Sequence, residues 1–114
     1  MEESLLRRRW NEGTPALGTF VFSRDAATTD IAAHAKYDFV IIDLEHAPLD
    51  LQNVENHIRA AGANGISALV RISGADQSLI GRVLDLGADG IVYPHFGVDR
   101  SRTRGFADNL RYEP

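Results

Sequence analysis

Short apolar runs alternate along this chain with longer stretches of helical period. Leu17 to Phe22, Phe39 to Asp43, Ser67 to Arg71 and Gly90 to Tyr93 are expected to be strands. Between them the pattern predicts helices over residues 4–12, from a cap at Thr28 or Thr29 to near Tyr37, from Asp50 to about Ala61, and from Asp76 to Leu86. Gly13 closes the first of these, and Asp50 and Asp76 are placed to accept the free amides of the helices they precede. Val54 and Ile58 in one helix, and Leu79, Val83 and Leu86 in another, mark the buried sides. A weaker helix, interrupted by Gly105, is expected over residues 98–112.

Alternation of strand and helix with short connections is the signature of βαβ units and a parallel sheet. Val40-Ile41-Ile42 is continuously apolar, as in a strand covered on both faces. Crossovers of this kind are right-handed, so four successive units curl one way, into an arc of a barrel. An open doubly wound sheet is the alternative. The barrel is preferred because candidate functional residues follow three strands: Asp43, Glu45 and His46, then Arg71, then His95. A barrel gathers all of its strand tips on one face. The expected fold is therefore α/β, the first four βα units of a TIM barrel, with residues 1–114 forming one partial domain.

Composition narrows the partners. Apolar residues at 44% and charged residues at 25% describe an ordinary globular chain. A net charge of −4, with cationic residues scattered apart from Arg7-Arg8-Arg9, gives no basic face for a phosphate backbone. No apolar stretch approaches the roughly 20 residues that cross a bilayer, and MEESLLRRRW lacks the apolar core of a secretory signal. No nucleic acid and no membrane are expected, and the location is read as cytoplasmic. Cysteine is absent, which removes thiol nucleophiles and thiolate metal sites.

Leu17-Gly-Thr-Phe20, Asp38 to Pro48 (DFVIIDLEHAP), Leu69-Val-Arg71, Val83 to Ala88 and Val92-Tyr-Pro94 resemble, in order and spacing, the first half of the HpcH/HpaI aldolase family. These are metal-dependent pyruvate aldolases of the 4-hydroxy-2-oxoheptanedioate and 2-keto-3-deoxyglucarate type. The resemblance runs from about Leu5 to Tyr112. It implies a class II aldolase that forms an enolate from pyruvate or another 2-oxo acid and joins it reversibly to an aldehyde. It further implies His46 as the base and Arg71 as the stabiliser of the enolate oxygen. Imidazole titrates near neutral pH, and guanidinium keeps its charge and directional donors when partly buried. Asp85 matches the acid that raises the basicity of the histidine. The end of a helix entering the next strand lies away from the strand tips, so Asp85 is expected to act across a subunit interface, which implies a homo-oligomer. Asp43 and Glu45 flank the base and are expected to support it from behind.

Other residues carry plainer expectations. His34 and His57 are read as surface residues, His95 as an unassigned rim residue, Trp10 as a packing residue and Arg7 to Arg9 as a solvated helix side. The one lysine, Lys36, ends a helix rather than a strand, which speaks against Schiff-base chemistry. It also stands where the family commonly has glycine. The family's metal, magnesium, manganese or cobalt, is held by acids after later strands, so no metal ligand is assigned within these residues. Barrels of this type run to about 250 residues, and four units leave strand edges bare. Two expectations follow: the sequence is a fragment or part of an aldolase, or it is a truncated, non-catalytic half-barrel that associates with itself.

Overall fold

A computed structural model describes residues 3–74 and 76–93. Four helices and four strands alternate through them: α1 (Leu5–Glu12), β1 (Gly18–Val21), α2 (Ala27–His34), β2 (Phe39–Asp43), α3 (Leu51–Ala63), β3 (Ser67–Arg71), α4 (Gln77–Asp85) and β4 (Gly90–Val92). The strands pair in chain order, all parallel, with Gly18 opposite Phe39, Phe39 opposite Ser67, and Leu69 opposite Gly90. Pro94, His95 and the helix expected over 98–112 lie outside the described residues.

The period of two sorts each strand into two faces. Val21, Val40, Ile42, Ala68 and Val70 are buried and join Val54, Ile58, Ala61, Ile80 and Val83 of α3 and α4 in one core. The opposite face carries Phe20, Ile41, Leu69 and, at the strand ends, Asp43 and Arg71. Two aspartates pin the sheet at its starting end by the same device. Asp38 donates its amide to the Leu17 carbonyl (2.7 Å) while its Oδ2 accepts the Leu17 amide (2.9 Å). Asp89 does the same to Ala68, at 2.8 and 2.9 Å. Helix α1 lies across this end: the Leu6 amide donates to Ser67 Oγ at 2.9 Å, and Arg9 Nη2 reaches Asp38 Oδ1 at 3.5 Å.

Caps explain where most helices begin. Ser4 Oγ accepts the Arg7 amide, Asp76 Oδ1 accepts the Leu79 amide, and Asp50 with Asn53 forms a reciprocal capping box before α3. Helix α2 differs from expectation, because neither Thr28 nor Thr29 caps it. Both lie inside its first turn: the Thr28 hydroxyl donates to the Asp25 carbonyl, and the Thr29 hydroxyl is spent on His57. The turn ahead of the helix is organised by Asp25 Oδ1, which accepts the Ala27 amide at 2.9 Å.

Three residues fall elsewhere than expected. His57 is fully buried rather than on the surface, because both ring nitrogens find partners inside. Trp10 is 82% exposed, at the far end of the α1 face that Leu6 starts. Arg7 and Arg8 are exposed, but Arg9 turns in towards Asp38.

Lys36 closes α2 in the left-handed region at φ 73°, with its amide donating to the Ala33 carbonyl and that of Tyr37 to the Ala32 carbonyl. A side chain there costs about 1 kcal/mol that glycine avoids. Lys36→Gly is expected to raise stability by roughly that amount, read as a higher urea midpoint with unchanged slope. A lower midpoint would mean that the lysine side chain makes a compensating contact.

Candidate active site

Ionisable residues singled out in the sequence gather at the strand tips. Asp43 ends β2 and Arg71 ends β3, and the two are register partners, so their side chains emerge side by side on the face away from the helices. Arg71 Nη2 donates to Asp43 Oδ2 at 2.6 Å and Arg71 Nε to Asp43 Oδ1 at 3.2 Å, a two-pronged pair. Asp43 is fully buried and the Arg71 side chain is 19% exposed. Nε and Nη2 are engaged, and Nη1 takes no partner among the described residues.

Asp43 also folds the loop after its own strand. Its Oδ1 accepts the backbone amides of Glu45 (2.8 Å) and His46 (3.1 Å). The Leu44 amide meanwhile continues the ladder to the Arg71 carbonyl at 2.9 Å. This turn brings Glu45 over the pair. Its Oε1 lies 2.7 Å from His46 Nε2 and 3.7 Å from Arg71 Nε, so one carboxylate links the base candidate to the arginine. Glu45 is nearly buried and His46 is largely exposed. With its proton on Nε2, facing Glu45, the ring presents Nδ1 as a proton acceptor.

Burial by itself pushes the Asp43 carboxyl up. The Arg71 guanidinium and the His46 and Glu45 amides outweigh it and hold the group below the usual aspartate range. Arg71 is raised in turn, first by its hydrogen bonds to Asp43, against burial.

Neighbouring loops are tied to this tip. Arg24 Nε donates to the Pro48 carbonyl at 3.0 Å, joining the loop after β1 to the loop after β2. His57 Nε2 lies 2.7 Å from the Ser23 carbonyl and its Nδ1 2.7 Å from the Thr29 hydroxyl. A carbonyl only accepts, so Nε2 carries the proton and Nδ1 accepts from Thr29. Buried His57 thereby fixes where the loop after β1 starts. On β1 itself, Phe20 lies under the Arg71 guanidinium, 4.3 Å from carbon to ring centroid.

Of the residues expected from sequence, Asp43, Glu45, His46 and Arg71 come together. Asp85 does not join them: it is exposed at the end of α4, in a groove with Leu51, Gln52, Glu55, Arg82 and Leu86. Sequence reasoning missed Phe20 and His57. For Phe20 the available signal was its place on the same strand face as the tip residues.

The sequence pattern of the HpcH/HpaI aldolase/citrate lyase family matches residues 16–101. The chain belongs to this family. It is 34% identical over 109 residues to a hydroxypyruvate/pyruvate aldolase of Rhizorhabdus wittichii, covering 96% of this chain and 43% of that relative. Among solved structures it resembles citrate synthase SbnG, at 36% identity and a TM-score of 0.87, covering 96% of this chain and 44% of that one. An HpcH/HpaI aldolase from Desulfitobacterium hafniense DCB-2 matches at 28% identity and a TM-score of 0.84, covering 98% and 43%. The chain thus spans less than half the length of these relatives. Its four parallel strands, alternating with helices, are part of the family's TIM barrel.

Because the folded Asp43 pKa is lowered, its contribution to stability is complete above the ordinary aspartate range and is lost as pH falls through the lowered value. The wild-type urea midpoint is expected to fall steeply below about pH 4. Asp43→Asn should have a lower midpoint at neutral pH and a flatter acid limb. An acid limb as steep as wild type in that variant would place the titrating group elsewhere.

Proposed function

We propose that these residues form the proton-transfer part of an aldolase-type carbon–carbon lyase. It acts on pyruvate or a related 2-oxo acid and joins the enolate to an aldehyde, or cleaves a 4-hydroxy-2-oxo acid in reverse. The observation that carries the reading is the joined trio at the tips of β2 and β3: His46 against Glu45, and Glu45 beside an Arg71 whose Nη1 is left to donate. The family's aldolase relatives support the same class of substrate.

In this reading His46 Nδ1 takes a proton from the methyl carbon of the 2-oxo acid. The electron pair of the broken C–H bond becomes the C2–C3 double bond, and the C2 oxygen gains the negative charge. Arg71 Nη1 donates to that oxygen from a guanidinium already held by Asp43, so little reorganisation accompanies the charge shift. Glu45 keeps the histidine in the useful tautomer. Asp85 is proposed to raise the basicity of His46 from a second copy of the chain, since it is not part of this trio; the protein is then a homo-oligomer. A cytoplasmic setting belongs to the same reading. Among the described residues no helix is long and apolar enough to cross a membrane.

The family implies a divalent cation, magnesium, manganese or cobalt. The described residues do not fit one: no three His, Asp or Glu side chains are gathered to hold it, and the Asp43 carboxylate is spent on Arg71 and two amides. The proton transfer is therefore derived from His46 and Arg71 alone.

A second reading, a non-catalytic half-barrel that associates with itself, draws on the exposure of Leu17, Phe20 and Phe22 at β1. Deuterium exchange into the pyruvate methyl group, followed by proton NMR with magnesium or manganese present and then with chelator, separates the two. Exchange is expected in the wild-type chain, with His46→Ala slower by about 10²–10⁴-fold. Wild-type exchange in His46→Ala would remove the histidine from the role. Folded, self-associated protein without exchange would favour the second reading, and a monomer in sedimentation would count against it.

A further inference from the structure

We infer that Phe20 is a positioning residue that sets the plane of the Arg71 guanidinium. The inference rests on the reading of Arg71 as the donor to the enolate oxygen. Asp43 grips Nε and Nη2, which fixes the guanidinium along the line joining the two groups. A pair of hydrogen bonds to one carboxylate leaves the tilt about that line soft. A further contact can restrain it: the guanidinium carbon sits over the Phe20 ring, 4.3 Å from its centroid. A cation is attracted to the negative face of an aromatic ring, and a flat guanidinium also stacks on it. The direction in which Nη1 donates is then set by two contacts, the Asp43 carboxylate and the Phe20 ring.

The placement has a sequence logic. Phe20 is on β1 and Arg71 on β3, so the arginine leans across β2 to reach the ring. Phe22, just past the end of β1, supports Phe20, with ring planes 5° apart and centroids at 6.0 Å. Neither ring belongs to the buried core under the helices, and Phe20 is 38% exposed.

Two variants of the 114-residue chain test this. Phe20→Leu removes the ring and keeps an apolar side chain, whereas Phe20→Tyr keeps the ring. In the wild type, the Arg71 side-chain protons should carry an upfield ring-current shift in NMR spectra. Phe20→Leu should lose it and Phe20→Tyr retain it. Arg71 resonances unmoved in Phe20→Leu would overturn the inference, whatever the activity. In pyruvate methyl exchange the maximal rate of Phe20→Leu should fall roughly three- to tenfold. The half-saturating pyruvate concentration should move less, and Phe20→Tyr should restore the rate. Equal maximal rates in all three proteins would overturn the catalytic consequence. A wild type with the ring-current shift and no exchange would defeat the proposed function while leaving the Phe20–Arg71 contact established.

Discussion

Everything at the working end of this sheet depends on one ion pair, Asp43 with Arg71. The carboxylate is wholly buried, and a buried charge without partners would give up its ionised form. It stays ionised because it is over-supplied with donors: two from the guanidinium and one each from the Glu45 and His46 amides. The same four bonds do three jobs. They hold the end of β2 against the end of β3, they give the segment after β2 its turn, and they aim the arginine.

This sharing explains why the site is compact although its parts come from separate strands. Glu45 and His46 have no helix or strand of their own to hold them. Their positions come from backbone amides bonded to a side chain that is itself locked in the sheet. Farther out, Arg24 ties the loop after β1 to Pro48, and His57 ties that loop's start to α3 and α2. Rigidity thus passes outward from the register of the strands to the exposed ring of His46, by hydrogen bonds at each step. The aspartates at the other end, Asp38 and Asp89, use paired backbone contacts to keep that register from slipping. A slip of one residue would turn Asp43 and Arg71 to the helix-covered face.

Much of this was legible in the sequence where the signal is local. The bounds of β2 and β3 follow from apolar runs that end at an acid and at an arginine, and those of α3 and α4 from caps at Asp50 and Asp76. Local reasoning failed where a side chain had a distant competitor. Thr29 is a good cap by type, but His57, 28 residues away, takes its hydroxyl, and the same bond explains why His57 is inside. The tip residues were legible as a family pattern, whereas the pairing of Asp43 with Arg71 was not, because strand order decides it. Asp43 was expected behind the histidine. It proves to organise both the histidine's loop and the arginine.

That double role constrains how such a site can change. A substitution at Arg71 leaves Asp43 with amide donors alone in a buried setting, which raises its pKa and loosens the loop that carries His46. A substitution at Asp43 frees the loop and the arginine together. His46 and Arg71 are therefore not independent modules, even though their side chains do not touch in the contacts described, because both answer to one carboxylate. Effects of changing either should be strongly non-additive, as for residues that act as a unit. Glu45 joins the two groups directly, bonding the histidine and approaching the arginine above the carboxylate that positions both.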